Sequence, residues 1–221
     1  MIADIVRIIL PKIYPITDTS LSGLSHRDQV EQLIQGGATL IQLREKRMSP
    51  REFLHDAREA LTVARSAGVK IIINDRVDVA MVIGADGVHL GQTDMPVKAA
   101  RRLLGERAIV GFSTHNAEQV DDALHLPINY LAFGPVFPTA SKENPDPIVG
   151  VDLLSEIKSR AGSLPLIAIG GITKERVPAV LIAGADSVAT ISALFDQTAS
   201  ITQNLKNLRN LASIDSVGQL S

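Results

Sequence analysis

The segment Gln42-Leu43-Arg44-Glu45-Lys46 follows an apolar run and sets an amide, a guanidinium and an ammonium at alternate positions. Alternate side chains of a strand share a face, so Gln42, Arg44 and Lys46 point one way. Two cations on an inward face are costly unless an anion meets them. Arginine offers a planar fork to phosphate oxygens and lysine a point charge, so this spacing suits a phosphorylated small molecule. The plainer alternative is a solvated strand end, with Glu45 and Arg47 as surface charges. Asn74-Asp75-Arg76 and His89-Leu90-Gly91-Gln92-Thr93-Asp94 lie at the ends of two further apolar runs. Asn74, Asp75 and Asp94 can each be read as a helix cap, Asp94 standing just before Met95-Pro96. Taken together, Asp75 and Asp94 put two carboxylates at neighbouring strand ends. Hard oxygen ligands of this kind, few in number, hold Mg²⁺ when phosphate supplies the rest.

Gly111-Phe112-Ser113-Thr114-His115-Asn116 lacks the Gly-x-Ser-x-Gly pattern of a nucleophile elbow, so Ser113 reads as a hydrogen-bonding group and His115 as a surface residue. His89 reads as a satisfied interior histidine. No His-x-His or His-Glu-x-x-His spacing points to an imidazole-bound metal. The longest loop opens at Gly134 and continues to Gly150, with prolines at 135, 138, 145 and 147 and phosphate-compatible donors at Thr139, Ser141 and Lys142. A loop of this length in a compact domain is commonly a lid or binding loop; a plain solvated loop is the alternative. In Ile169-Gly170-Gly171-Ile172 the paired glycines let backbone N–H groups approach an anion, and the last apolar run ends at Ile191-Ser192. Two anion sites emerge. One combines Arg44, Lys46 and Lys142 with a metal; the other is a neutral backbone nest near Gly171 and Ser192. Sites of different charge imply two phosphorylated substrates, the more highly charged one beside the metal.

These residues need a scaffold that brings successive segment ends together. Eight short apolar runs, rich in Val and Ile, occur at Ile13–Thr17, Thr39–Leu43, Val69–Ile73, Gly87–Leu90, Ala108–Phe112, Tyr130–Phe133, Leu166–Ile169 and Ser187–Ile191. Consecutive apolar positions are expected of parallel strands covered on both faces. Between them lie helix-like stretches at Arg27–Gln35, Ser49–Ala67, Val77–Ile83, Pro96–Leu104, Ala117–Leu124, Val151–Arg160 and Lys174–Ala183, several followed by a glycine (Gly36, Gly68, Gly105, Gly184) able to close a helix in the left-handed conformation. Eight strand–helix units predict a single-domain α/β fold, a closed (β/α)8 TIM barrel, with a doubly wound open sheet as competitor. In that barrel the strand ends listed above form one active-site face. Residues 1–10 read as an N-terminal extension and 11–221 as the barrel, with a final helix from about Ala199.

Composition narrows the function. The 221 residues carry 22 basic and 24 acidic side chains and 3% aromatics, so neither a basic surface nor stacking platforms point to nucleic acid. The absence of cysteine excludes disulfides, thiolate metal sites and cysteine nucleophiles, and fits a reducing compartment. Asp4 and Arg7 interrupt the leading apolar stretch, unlike a secretory signal, and no 18-residue apolar span occurs. A cytoplasmic enzyme acting on small molecules is expected, with no nucleic-acid or membrane partner; a homo-oligomer is compatible with the sequence.

With those motifs in place, the chain resembles the thiamine phosphate synthase family over nearly its whole length. The resemblance rests on Gln-Leu-Arg-Glu-Lys at 42–46, Asn-Asp-Arg at 74–76, Gly-Val-His-Leu-Gly-Gln-Thr-Asp at 87–94 and Gly-Phe-Ser-Thr-His at 111–115. It continues through Gly-Pro-Val-Phe-Pro-Thr-Ala-Ser-Lys at 134–142, Ala-Ile-Gly-Gly-Ile at 168–172 and Ile-Ser-Ala at 191–193. Ser141 departs slightly, standing where threonine is common and keeping the hydroxyl. The resemblance implies joining of 4-amino-2-methyl-5-hydroxymethylpyrimidine diphosphate to a thiazole phosphate, with or without a 2-carboxylate, and release of pyrophosphate through a dissociative step. It implies that Gln42, Leu43, Arg44, Glu45, Lys46, Asn74, Ser113 and Lys142 hold the pyrimidine diphosphate, that Asp75 and Asp94 bind Mg²⁺, and that Thr139, Ala140, Ser141, Gly171, Ile191 and Ser192 hold the thiazole phosphate. Arg44, Lys46, Ser113 and Lys142 are the residues it places nearest the chemistry. Three alternatives stand beside it: a thiazole tautomerase relative, which has a histidine where this chain has Pro135; a phosphosugar aldolase or epimerase on the same barrel; and a non-catalytic precursor-binding protein.

Overall fold

The apolar runs form eight parallel strands in the computed structural model, which describes residues 7–139, 146–196 and 199–213. They are β1 (Ile13–Thr17), β2 (Leu40–Leu43), β3 (Lys70–Asn74), β4 (Gly87–Leu90), β5 (Ile109–Thr114), β6 (Tyr130–Phe133), β7 (Leu166–Ala168) and β8 (Ser187–Thr190). Each pairs with its sequence neighbours, and β1 pairs with both β2 and β8, so the sheet is closed. Closure excludes the doubly wound open sheet. Several bounds move by a residue or two, for physical reasons. β5 continues to Thr114 because Ser113 and Thr114 stay in register with Ala132 and Phe133. β7 stops before Ile169 as the chain turns into Gly170, whose φ is +92°. β8 stops before Ile191, whose ψ of −78° leaves the extended region.

Strand alternation sorts the side chains. Outward residues such as Ile41, Leu43, Ile71, Ile73, Val88 and Val110 join the large cluster between barrel and helices. Inward residues Tyr14, Ile16, Leu40, Ile72, Ile109, Tyr130, Ala132, Ile167 and Ala189 form a second cluster inside the barrel. Both faces of every strand are thus buried, which is why the runs are apolar at successive positions. Of the expected extension, residues 1–6 lie outside the described residues; Ile8 and Leu10 pack against the interior cluster.

The helices are α1 (Thr19–Ser22), α2 (His26–Gln35), α3 (Pro50–Ser66), α4 (Val77–Ile83), α5 (Val97–Leu104), α6 (Ala117–Ala123), α7 (Leu153–Ala161), α8 (Val177–Ile182) and α9 (Ile201–Ser213). A full capping box of Ser49 and Glu52 starts α3, satisfying N–H groups that have no partner within the helix. The short α1 has no apolar periodicity and was not anticipated; Asp18 caps it by accepting from the N–H groups of Ser20 and Leu21. The expected helix Lys174–Ala183 is divided into a 3-10 turn (Lys174–Arg176) and α8, which has a proline in its first turn. Gly36 does not take the left-handed conformation: its φ is −77°, and Gly37, at +87°, makes the turn instead. Among the described residues no helix is long and apolar enough to cross a membrane.

Gly87 lies where the β4 and β5 backbones touch, and a Cβ there would overlap the carbonyl of Ile109. Gly87→Ala is expected to lower the unfolding free energy by roughly 2 kcal/mol, because backbone blocks relaxation. Urea unfolding of the two proteins measures it; a change below about 0.5 kcal/mol would mean that the strands separate freely.

Candidate active site

The C-terminal strand ends surround a cavity of about 440 Å³. Gln42, Arg44, Lys46, Asn74, Asp75, Asp94, Ser113, Thr139, Gly171, Ile191 and Ser192 all line it. One pocket therefore gathers residues separated by up to 150 positions in the chain. Ala140, Ser141 and Lys142 lie outside the described residues. Leu43 and Glu45 are not among the lining residues. Leu43 points outward into the core between barrel and helices, as alternation between Gln42 and Arg44 requires.

Glu45 is not the surface charge of the plainer reading. Its side chain is 3% exposed. Oε1 accepts from the N–H groups of Lys46, Arg47 and Met48, and Oε2 accepts from Thr19 Oγ1 at 2.6 Å. Burial pushes this carboxyl up, but the Thr19 hydroxyl, the Arg47 and Met48 N–H groups and nearby His26 together hold it down at about 2. His26 is itself fully buried: Nε2 faces Glu45 at 3.3 Å and Nδ1 meets Thr17 Oγ1 at 2.7 Å. Glu45 thus folds the turn after β2 and fixes the direction in which its neighbours Arg44 and Lys46 leave the strand.

At the mouth, protein carboxylates already meet the two cations. Arg44 Nη1 donates to Asp18 Oδ2 at 2.9 Å, with both side chains largely buried. Lys46 Nζ, half-exposed, donates to Asp75 Oδ2. Asp75 is not a helix cap, and neither is Asn74; α4 begins after Arg76 without a side-chain cap. Asp75 instead has φ of +60°, the one positive value outside glycine among the described residues. Aspartate tolerates that region better than most residues, but at a cost that the surrounding structure must hold in place. Asp94 does not cap α5, which begins after Pro96; its Oδ2 accepts from Gly91 N–H at 2.6 Å. Burial and then the adjacent Asp75 carboxylate raise its pKa, against the Gly91 bond. Two neighbouring carboxylates facing one cavity form a site suited to a hard cation. Among the described residues no group of three or more His, Cys, Asp or Glu side chains forms a metal cage. A cation here would need other oxygens, which is the habit of Mg²⁺ with phosphate ligands.

The pocket floor was not visible in the motifs. Tyr14 and Tyr130, the chain's two tyrosines, meet inside the barrel with rings edge to face at 6.0 Å. Their hydroxyls are 3.2 Å apart. Gln42 Nε2 donates to Tyr14 at 3.2 Å, Tyr130 reaches His89 Nδ1 at 3.0 Å, and His89 Nε2 reaches Ser113 Oγ at 2.8 Å. Gly111 makes room: a Cβ there would overlap the Tyr130 ring. His89 is the satisfied interior histidine expected, and it also lines the pocket. Each of these residues lies at an inward position of its own strand, a different strand in each case, so no one motif joins them.

The loop after β6 is anchored to the end of β7. Val136 and Phe137 N–H groups donate to the carbonyls of Ile169 and Gly170, Arg176 stacks on Phe137 and donates to the Gly171 carbonyl. Side chains at Gly170 or Gly171 would overlap Pro135 or the carbonyls of Phe137 and Pro138. The paired glycines are therefore required by loop packing as well as by their positive φ values of +92° and +62°. His115 is no plain surface residue: it lines the pocket, donates through Nδ1 to the Gly134 carbonyl and faces Asp146 at 3.4 Å through Nε2.

Comparison with known proteins agrees with this geometry. A family model described as thiamine monophosphate synthase matches residues 13–194. The thiamine-phosphate synthase of Chloroflexus aurantiacus is 43% identical over 204 residues, covering 92% of this chain and 93% of that protein. A thiamine phosphate pyrophosphorylase structure from Pyrococcus furiosus superposes with a TM-score of 0.82 at 32% identity, covering 94% of this chain and 97% of that one. The 2-keto-3-deoxy-6-phosphogluconate aldolase of Zymomonas mobilis superposes with a TM-score of 0.66 at 18% identity, a likeness of fold alone.

Burial holds the His89 imidazole down at about 4, against about 6.5 in an unfolded chain. Between those values the unfolded chain binds the proton and the folded chain does not. The stability associated with neutral His89 is therefore full above about pH 6.5 and lost as pH falls toward 4, by roughly 3 kcal/mol. Urea unfolding of the wild type and His89→Gln between about pH 4 and 7 checks this: the wild type should lose stability faster on the acid side. Parallel profiles would mean that His89 is not held neutral.

Proposed function

The chain belongs to the thiamine monophosphate synthase family, and we propose that it joins 4-amino-2-methyl-5-hydroxymethylpyrimidine diphosphate to a thiazole phosphate, releasing pyrophosphate and thiamine phosphate. The observation that carries this reading is the pairing, in one pocket, of two cations (Arg44, Lys46) with two adjacent carboxylates (Asp75, Asp94). A diphosphate needs both: cations for its oxygens, and a metal to neutralise the rest. Asp75 and Asp94 would hold Mg²⁺, which supplies charge stabilisation to the departing pyrophosphate. With Asp75 and Asp94 as its protein ligands, phosphate oxygens would supply the rest.

In this reading Arg44 and Lys46 bind the diphosphate, joined by Lys142 from the loop after β6. Both described cations exchange a carboxylate partner, Asp18 or Asp75, for phosphate oxygens, so the anion enters a site whose charges are already positioned. Gln42, Asn74 and Ser113 orient the pyrimidine. Backbone N–H groups around Gly171, Ile191 and Ser192, with the Thr139 to Ser141 segment, hold the thiazole phosphate at the end of β7 and β8, the recurrent phosphate position of this fold. The bond to pyrophosphate breaks first, the pyrimidine carries the positive charge, and the thiazole nitrogen captures it. No protein nucleophile is required. Ile16, Ile167, Ile169 and Ala189 line the same cavity and keep water from the cation. A Schiff-base aldolase is disfavoured at Lys46, which is ion-paired and 52% exposed rather than in a dry pocket. A cytoplasmic location fits phosphorylated substrates and the absence of cysteine.

The experiment is product formation from both substrates with Mg²⁺ or with EDTA. Equal amounts of pyrophosphate and thiamine phosphate, both abolished by EDTA, are expected; binding of both substrates without turnover would replace the synthase reading with a binding protein. Asp75→Ala should lower kcat by about 100-fold or more while changing KM for the thiazole phosphate less than about threefold. Equal losses in both would remove Asp75 from the metal site.

A further inference from the structure

The hydrogen bonds of the pocket floor form a single chain: Gln42, Tyr14, Tyr130, His89, Ser113. Its direction follows from its ends. The amide nitrogen of Gln42 can only donate, so the Tyr14 oxygen accepts there; the Tyr14 hydrogen has no other acceptor among the described residues and goes to Tyr130. Tyr130 then has its own hydrogen left for His89 Nδ1, which must accept. A neutral imidazole has one donor and one acceptor, so Nε2 carries the proton and donates to Ser113 Oγ. Ser113 uses a lone pair for this bond and keeps its hydrogen for the cavity. At the other end, Gln42 lines the same cavity, and its carbonyl oxygen, with no hydrogen-bond partner among the described residues, is left to accept there. Burial supports this direction at the tyrosines, keeping both phenols protonated and able to donate.

We propose that Tyr14 and Tyr130 are positioning residues that run this chain one way, so that the floor presents an acceptor at Gln42 and a donor at Ser113 and thereby selects an amino-substituted pyrimidine over its oxo counterpart. The inference rests on the functional reading above. A 4-aminopyrimidine offers an amino donor beside a bare ring nitrogen that accepts. The 4-oxo form offers a carbonyl acceptor beside a ring N–H donor. Exchanging one for the other sets carbonyl against carbonyl at Gln42, acceptor against acceptor, and turns a ring N–H toward Ser113, whose own hydrogen is then left without its acceptor. A buried floor that cannot reverse its own polarity rejects the oxo form strongly, since its polar groups are left unpaired. The tyrosines touch the substrate's reacting atoms nowhere in this scheme. They act through Gln42 and His89, by preventing the two ends from flipping.

The test has two readouts. Protein labelled with ¹⁵N-histidine gives the ring-nitrogen shifts of His89 without any substrate, assigned by the signal lost in His89→Gln. The Nε2–H form is expected in the wild type, and in Tyr130→Phe a loss of that single form, either to a mixture or to Nδ1–H. Competition between the amino and oxo pyrimidine diphosphates gives the ratio of kcat/KM. The wild type should prefer the amino substrate by about 100-fold or more, and Tyr130→Phe should lower that preference by about tenfold. Tyr14→Phe, which leaves the His89 contact in place, should lower it less and supplies a second variant if Tyr130→Phe unfolds, as thermal unfolding would show. An Nδ1–H tautomer in the wild type means that the chain runs the other way and overturns the proposal; so does an amino-to-oxo preference unchanged in both variants. Failure of the wild type to condense the amino substrate sinks the functional reading and the pyrimidine assignment together, and is told apart from a wrong chain direction by the nitrogen shifts alone.

Discussion

A closed parallel barrel leaves alternate side chains of every strand no destination but its interior, and the rest of this structure depends on that constraint. Leu40, Ile72, Ile109 and Ile167 meet it by packing. Gln42, His89, Ser113 and the two tyrosine hydroxyls meet it by bonding to one another. An interior polar group that found no partner would cost free energy that a domain of this size can ill spare. The result is a floor whose polar groups are fixed relative to each other, beneath a mouth that is open to solutes. Glycine makes the arrangement possible at two points, Gly87 letting adjacent backbones touch and Gly111 admitting the Tyr130 ring.

Charge at the mouth is organised on the same principle of mutual restraint. Asp18 holds Arg44, Asp75 holds Lys46, and Asp94 is held by Gly91. Glu45, one residue from each cation, is spent on three backbone N–H groups and a threonine hydroxyl. Its buried negative charge is therefore structural, whereas those of Asp75 and Asp94 face the cavity. Carboxylates at neighbouring strand ends thus have opposite uses, decided by whether they turn into the protein or toward the cavity. Preorganised ions of this kind stabilise a departing anion without having to reorient when it forms.

The fold and half the site could be read from the residues themselves. Eight runs of Val and Ile at successive positions already require strands buried on both faces, and alternation already puts Gln42, Arg44 and Lys46 together. The same alternation sends the Leu43 side chain outward, into the core between barrel and helices. Gly171 reads as a phosphate nest in one dimension; in three, its missing side chain is first of all the space taken by the backbone of Phe137 and Pro138.

What the sequence determined by itself is local and periodic: which residues are strand, which face each presents, and which strand ends carry charge. Only the tertiary structure decided pairings across the barrel. Tyr14 and Tyr130 are 116 residues apart and share a hydrogen bond; Arg44 finds Asp18, and His26 finds Glu45, through register between β1 and β2 and the seating of α2. Such partners have no signature in spacing along the chain, because closure of the sheet, and not local preference, sets which inward positions face one another.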